Sequence, residues 1–255
     1  MKKVISGILG LSASMILLII GLLWFTFSGN APLKQKSEFT PTSTQIKDSF
    51  VSVGIIRSSP SDVILIDCGN DEKATAILDE LKHQKLGPEA VKAIFLTHGH
   101  ADHYKGCSVF PRAAIFAMKS EQPLLEGKVS SRGPVRLVMP KRPAPIMINH
   151  YLNDGETTTL GSQTVSAYLI PGHTDGSGAY LVDGVLYLGD SADSNRSGKL
   201  TPAKWLVSND VEQNRASLKD LAHRLAPQAS LIKFLEFAHS APIPGLQPLL
   251  DFANH

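Results

Sequence analysis

Cysteine is nearly absent. Cys68 and Cys107 are the only two in 255 residues, too few for a disulfide framework, and their separation does not fit a zinc knuckle. A surplus of one charge is absent as well, since 25 basic residues face 23 acidic ones. With no Lys/Arg run and no basic–aromatic stripe, nothing invites nucleic-acid binding. Neither a G-x-S-x-G elbow nor a P-loop pattern occurs, which sets aside a serine hydrolase of that type and a P-loop NTPase. No internal repeat is evident. Long charge-free apolar runs are missing too, except for one at the N-terminus.

That exception runs from Val4 to Phe27, 24 residues without a charge, behind Met1-Lys2-Lys3. As a helix it extends about 36 Å, enough to cross a bilayer with some tilt. The rival is a cleaved signal peptide. Gly29 and Ala31 satisfy the small-x-small rule, but Pro32 follows, and the run exceeds the ordinary signal core. The expectation is therefore an uncleaved single-pass anchor over residues 1–27 that leaves its tail in the cytoplasm and the domain on the periplasmic or extracellular side; secretion after cleavage is the alternative. Residues 28–47, rich in Ser, Thr, Pro and Lys, read as a polar linker. Residues 48–255 leave room for one domain of about 200 residues.

Within that domain, Phe50–Ile56 and Asp62–Asp67 read as an antiparallel strand pair. Asn70 is placed to cap a helix carrying Ala74, Ile77, Leu78 and Leu81 at the 3.6 period, with Gly87-Pro88 ending it. Strands are expected at Val91–Leu96, Ala113–Ala117 and Thr164–Ile170, with a short helix at Lys119–Glu126. Gly127–Pro145 has no periodicity and reads as a loop beside the site. Ala179–Val182 and Val185–Leu188 flank Asp183-Gly184, a tight hairpin signature. Asn209–Ala226 is amphipathic, with Leu218, Leu221, Ala222 and Leu225 on one face, and Ser230–Phe237 reads as a last strand. This mixture of strand-rich halves and helices suggests sheets packed face to face with helices outside, an α+β arrangement.

Chemistry concentrates at strand ends. The apolar run Val91–Leu96 opens directly into Thr97-His98-Gly99-His100-Ala101-Asp102-His103, three histidines and an aspartate within six residues. Neutral imidazoles and a carboxylate at one sheet rim suit zinc, with iron or manganese as neighbouring choices. Later strand ends carry His173, Asp190 and His239. The remaining histidines, among them His83, His150, His223 and His255, sit away from strand ends or at the terminus.

Taken together, H-x-H-x-D-H at His98–His103, P-G-H-T at Pro171–Thr174 and Gly189-Asp190 behind a D-G hairpin resemble the metallo-β-lactamase superfamily, over roughly residues 50–250. The resemblance implies a four-layer αββα sandwich. It implies one metal at His98, His100 and His173, and a second at Asp102, His103 and His239, with Asp190 bridging them. Asp67 matches an acidic residue that the family places beside the site, orienting a ligand histidine. Three departures stand out: Ala238 and Ser240 flank His239 where the family has glycines, Lys105 precedes Gly106, and Asp175 follows Thr174.

Two zinc ions held at such a site would lower the pKa of a shared water for attack on a carbonyl, or on a phosphoryl or sulfuryl centre, with Asp102 and Asp190 as the carboxylates at the reacting centre. Lactamases of the superfamily typically lack the bridging aspartate that glyoxalase-II-like hydrolases have. The expected activity is therefore hydrolysis of a small ester, thioester or lactone rather than a β-lactam. Set against it, the sequence ends at His255, 16 residues after His239, without the helical extension that binds the thioester in glyoxalase II itself. The alternatives are a mononuclear iron enzyme resembling the persulfide dioxygenases, and a non-catalytic metal-binding module. The expected partners are a small-molecule substrate and, through residues 4–27, a membrane, with no nucleic acid. Cys68 is expected as a small buried strand-end residue, a Cys68–Cys107 bridge being the alternative.

Overall fold

A computed structural model describes residues 20–22, 24–134 and 141–254. The expected anchor at residues 4–27 lies for the most part outside the described residues. Among those that are described, no helix is long and apolar enough to cross a membrane.

The seven-stranded sheet runs in chain order, as β1 (Lys36–Glu38), β2 (Ser43–Asp48), β3 (Val51–Arg57), β4 (Val63–Ile66), β5 (Val91–Leu96), β6 (Ala114–Met118) and β7 (His150–Leu152). Strands β1 to β4 pair antiparallel and β4 to β7 parallel. The second sheet begins with β8 (Thr157–Leu160), β9 (Gln163–Leu169), β10 (Gly178–Val182) and β11 (Val185–Tyr187). A small ribbon, β12 (Ala192–Ser194) with β13 (Leu200–Pro202), precedes its last strands, β14 (Phe234–Glu236) and β15 (Ile243–Pro244). The six strands lie in the order β15-β14-β11-β10-β9-β8, with one parallel pair, β11 against β14.

Strands buried on both faces read as unbroken apolar runs, and β4 shows why. Val63 and Leu65 face the helical side, while Ile64 and Ile66 face the other sheet. Between the sheets Phe95 and Phe116 stack at 4.5 Å, with Tyr180 and Tyr187 beside them. On the outer face of the first sheet packs α1 (Thr75–His83), through Ile77 and Leu81. Outside the second sheet, α4 (Val211–Leu225) buries Leu218, Leu221, Ala222 and Leu225 beside α5 (Gln247–Ala253). Complete burial of each such leucine contributes about 1.5–3 kcal/mol. The layers are helix, sheet, sheet, helix, an α/β sandwich of mixed sheets. Two short helices, α2 (Ala101–Tyr104) and α3 (Gln122–Leu125), lie at the sheet rim.

Several expectations need correction. The stretch 28–47, expected as a linker, contains β1 and β2. Strand β2 has one apolar residue, Ile46, and two of its buried polar residues, Ser43 and Gln45, are satisfied by acids that come from the second sheet and its hairpin turn. Gln45 Nε2 donates to Glu236 at 2.8 Å and Ser43 Oγ to Asp183 at 2.6 Å. Asn70 does not cap α1. The Asp71 carboxylate accepts from the backbone N–H groups of Lys73 and Thr75 instead, while Asn70 donates its own N–H to Asp48. The strand expected at Ser230–Phe237 is only Phe234–Glu236, because residues 226–231 coil into 3₁₀ turns, and a further short strand, β15, follows it. The hairpin matches its signature, with Asp183 and Gly184 both left-handed (φ 52° and 77°).

The two cysteines are joined as a Cys68–Cys107 disulfide, Cα atoms 5.3 Å apart. Their distance in sequence hid this. Cys68 follows β4, Cys107 lies in the turn after α2, and Cys68 N–H donates to His103 C=O at 2.7 Å, drawing the two segments together.

Candidate metal centre

Five elements deliver seven side chains to one rim. His98 and His100 leave the end of β5, Asp102 and His103 ride on α2, and His173 sits between β9 and β10. Asp190 follows β11 and His239 follows β14. All seven expected residues are brought together, in two groups: His98, His100, His173 and Asp190, then Asp102, His103 and His239.

Backbone chemistry sets this geometry. Asp67, directly after β4, holds a left-handed conformation at φ 61°, a strain of about 1–3 kcal/mol for such a residue. There its carboxylate accepts from Thr97 N–H, Thr97 Oγ1 and His103 Nδ1, each at 2.8 Å. Gly189, at φ 53°, brings its backbone so close to Thr97 that a Cβ would stand 2.6 Å from the hydroxyl. Only glycine fits, and Asp190 is the next residue. Gly172 (φ 135°) similarly lies against Asn214, which lets the His173 turn dock on the start of α4.

The partners of the outward ring nitrogens fix the tautomers. His239 Nδ1 lies 2.9 Å from the Phe50 carbonyl, which can only accept. His173 Nδ1 meets Ser208 Oγ at 3.0 Å, and that hydroxyl already donates to Lys204 C=O. His98 Nδ1 meets Thr97 Oγ1 at 3.1 Å, whose proton goes to Asp67. In each case Nδ1 carries a hydrogen and Nε2 is the atom turned inward. His103 Nε2 does the same; it and Asp190 Oδ1 are buried without a hydrogen-bond partner. His100 is reversed, with Nε2 against Ser131 Oγ at 3.1 Å and Nδ1 inward.

The inward atoms are too close to be left to themselves. His173 Nε2 stands 3.1 Å from His98 Nε2 and 3.0 Å from His100 Nδ1, lone pair against lone pair. Asp190 spans the groups, with Oδ2 at 3.5 Å from His173 Nε2 and Oδ1 at 3.2 Å from both His103 and His239. Asp102 lies 3.5 Å from His239 and 3.8 Å from His103. The facing lone pairs of His98, His100 and His173, beside the Asp190 and Asp102 carboxylates, fit a divalent cation, as do the orphaned His103 Nε2 and Asp190 Oδ1, where a cation would take the place of a proton.

Electrostatics separate the two groups. Burial holds His98 and His100 below the ordinary histidine range and takes His173 down to about 3, keeping the first group neutral. Burial also opposes charge on His239, but Asp190 and Asp102 override it and raise the ring to about 9. His103 is raised in the same way by Asp67 and Asp190. Burial would lift Asp190, yet His239 and His103 hold it well below the carboxylate range.

Some residues escaped the sequence reading. Glu121, just before α3 and 1% exposed, clamps both ligand loops. One oxygen accepts from Gly99 N–H at 2.6 Å, the other from Thr174 Oγ1 and Gly176 N–H at 2.9 Å. Burial drives this carboxyl up to about 7 against those donors. A single glutamate in a short helical stretch gives no signal of such a role. Nor do Ser131 and Ser208, which hold ligand rings from loops. Phe50 was visible only as a strand residue, yet it stacks on His239 at 5.8 Å. The departures find places as well. Asp175 accepts from Arg132 and Asn209, Lys105 donates to Asn70, and Ser240 Oγ accepts from Ser194 N–H.

A family model described as the metallo-beta-lactamase superfamily matches residues 46–226. The hydroxyacylglutathione hydrolase of Photobacterium profundum is 30% identical over 159 residues, 61% of this chain and 54% of that protein. That of Aeromonas salmonicida is 29% identical over 161 residues, 62% of this chain and 53% of that protein. The chain thus spans about half the length of the curated relatives it matches. Among solved structures, a B3 metallo-beta-lactamase with an active-site glutamic acid superposes with a TM-score of 0.65 at 20% identity, over 89% of this chain and 88% of that one. At that identity the likeness concerns the fold alone.

Proposed function

Since the chain belongs to the metallo-beta-lactamase superfamily, we propose that it is a metal-dependent hydrolase of a small thioester, ester or lactone, with a thioester foremost. The observation that carries this reading is Asp190. Its two oxygens face the two ligand groups separately, as a carboxylate shared between two ions would. The hydroxyacylglutathione hydrolase relatives favour a thioester among the possible substrates.

In this reading His98, His100 and His173 would hold one zinc, Asp102, His103 and His239 would hold the second, and Asp190 would serve both. When bound, such a pair supplies a water that ionises near neutral pH and positive charge for a developing oxyanion. The protein contributes the rest. Asp67, Thr97, Ser208 and the Phe50 carbonyl hold the imidazoles with their lone pairs inward, and Asp102, at 20% side-chain exposure the most open of the carboxylates, is placed to carry the water's proton outward. The charge-free run at residues 4–27 supports a membrane tether, with the domain on the extracytoplasmic side.

The test is metal analysis of the protein with a panel of thioesters, esters, lactones and β-lactams. About two zinc per chain and turnover of a thioester are expected. His173→Ala should lose metal and turnover while its circular dichroism stays unchanged. Full metal occupancy without turnover on the whole panel would reject the hydrolase reading.

A further inference from the structure

Beside the centre lies a cavity of about 450 Å³ whose inner wall is Gly99, His100 and Ala101. Three cationic residues line it as well. Lys105 comes from the turn after α2, and Lys141 and Arg142 come from the loop after α3. Glu72 is the one acidic residue lining it.

The neighbouring cations of this region are spoken for. Lys128 pairs with Glu126 and Arg132 with Asp175, each at 2.6 Å. Among the described residues, Lys105, Lys141 and Arg142 form no ion pair, and Lys105 reaches only the neutral Asn70 Oδ1, at 2.8 Å. Three positive charges against one negative, in a concave site with low-dielectric walls, attract an anion.

The cationic wall is also fixed in place. Gly127, at φ 65°, sits so close to Arg142 and Pro143 that a Cβ there would meet backbone at 2.4–2.5 Å. Ala144 N–H donates to Leu125 C=O at 2.7 Å, and Pro143 and Pro145 stiffen the segment between. The segment carrying Lys141 and Arg142 is thereby pinned to the end of α3, where it lines the cavity together with Lys105.

We propose that this cavity holds an anionic arm of the substrate, a carboxylate or phosphate on the leaving-group side, while the scissile carbonyl lies at the metal centre. The assignment rests on the hydrolase reading for its substrate and on the cavity for its charge. A guanidinium and two ammonium groups match an oxyanion, Arg142 by paired hydrogen bonds and the lysines as point charges. Lys141 and Arg142 are exposed and Lys105 half-buried, so each contributes modestly and is screened by salt, and the selectivity comes from the three together.

The experiment compares thioesters of one acyl group with 3-mercaptopropionate, its amide, and cysteamine carrying a terminal phosphate. Wild-type protein should favour either anionic thioester over the amide by about tenfold in kcat/KM, the preference shrinking as salt is raised. Lys141→Ala/Arg142→Ala should bring that ratio close to one, with metal content and turnover of the amide unchanged. The ratio between the carboxylate and phosphate thioesters identifies which anion is preferred. Equal use of charged and neutral thioesters by the wild type, or an undiminished preference in the variant, would overturn the assignment. If no thioester is turned over, the hydrolase reading fails on its own. The cavity is then judged by calorimetric binding of the matching thioethers. Anion binding weakened about tenfold in the variant supports it, and equal binding in the two proteins overturns it.

Discussion

Replacing Glu121 by glutamine keeps the shape of a side chain that ties two ligand loops together and changes only its protons. Burial lifts the carboxyl from an ordinary 4.5 to about 7. At about 1.4 kcal/mol per pH unit of displacement, this corresponds to about 3 kcal/mol. The sign follows from linkage: a raised folded-state pKa means that the stability is fully present below pH 4.5 and is lost as pH rises through 7. Glutamine does not titrate. Its amide, however, must set an NH₂ against a backbone donor, either Gly99 N–H, now 2.6 Å from the carboxylate, or Gly176 N–H at 2.9 Å. One buried donor left unsatisfied costs about 1–3 kcal/mol. At pH 4.5, where nearly all of that stability is still present, Glu121→Gln should therefore melt below the wild type by about 2–12 °C, at roughly 2–4 °C per kcal/mol for a domain of this size. By pH 8 the wild type has lost its own about 3 kcal/mol, and the deficit should vanish or reverse. The assay is thermal unfolding of both proteins in chelator at the two pH values. Titration of the clustered histidines and of Glu236, which burial likewise raises to about 7, is common to both proteins and cancels in the difference. A melting difference independent of pH would refute the reasoning.

Two other perturbations follow from the same geometry. Asp67→Asn keeps a residue that tolerates a left-handed backbone but puts an amide where His103 Nδ1–H and both Thr97 donors need acceptors. Zinc affinity measured by chelator competition should fall about 10–100-fold, and an unchanged affinity would remove Asp67 from the set of positioning residues. Cys68→Ala/Cys107→Ala opens a loop of 39 residues; its closure is worth about 4 kcal/mol on the chain-entropy account. The variant should lose about that much in denaturant unfolding, and the denatured wild type should show no free thiol. Two reactive thiols in the wild type would contradict the bridge.

The sequence by itself determined the centre and most of the frame. H-x-H-x-D-H, P-G-H-T and Gly-Asp behind a D-G turn are local patterns, because each ligand's place depends on how one strand ends. The strands buried on both faces and the leucine face of α4 were legible for a similar reason, since apolar period reports burial directly. What the tertiary structure alone decided is whatever depends on a distant partner. Strand β2 looked like a linker because its buried Ser43 and Gln45 are satisfied by Asp183 and Glu236 of the other sheet. Cys68 meets Cys107 only because the segments after β4 and α2 are drawn together. Glu121 holds both ligand loops, and Lys141 and Arg142 line one cavity with Lys105, through contacts that no residue spacing records. Ligand identity is written in the chemistry of single residues, whereas the orientation of their rings and the charge of the neighbouring cavity arise from chain segments that meet only in the fold.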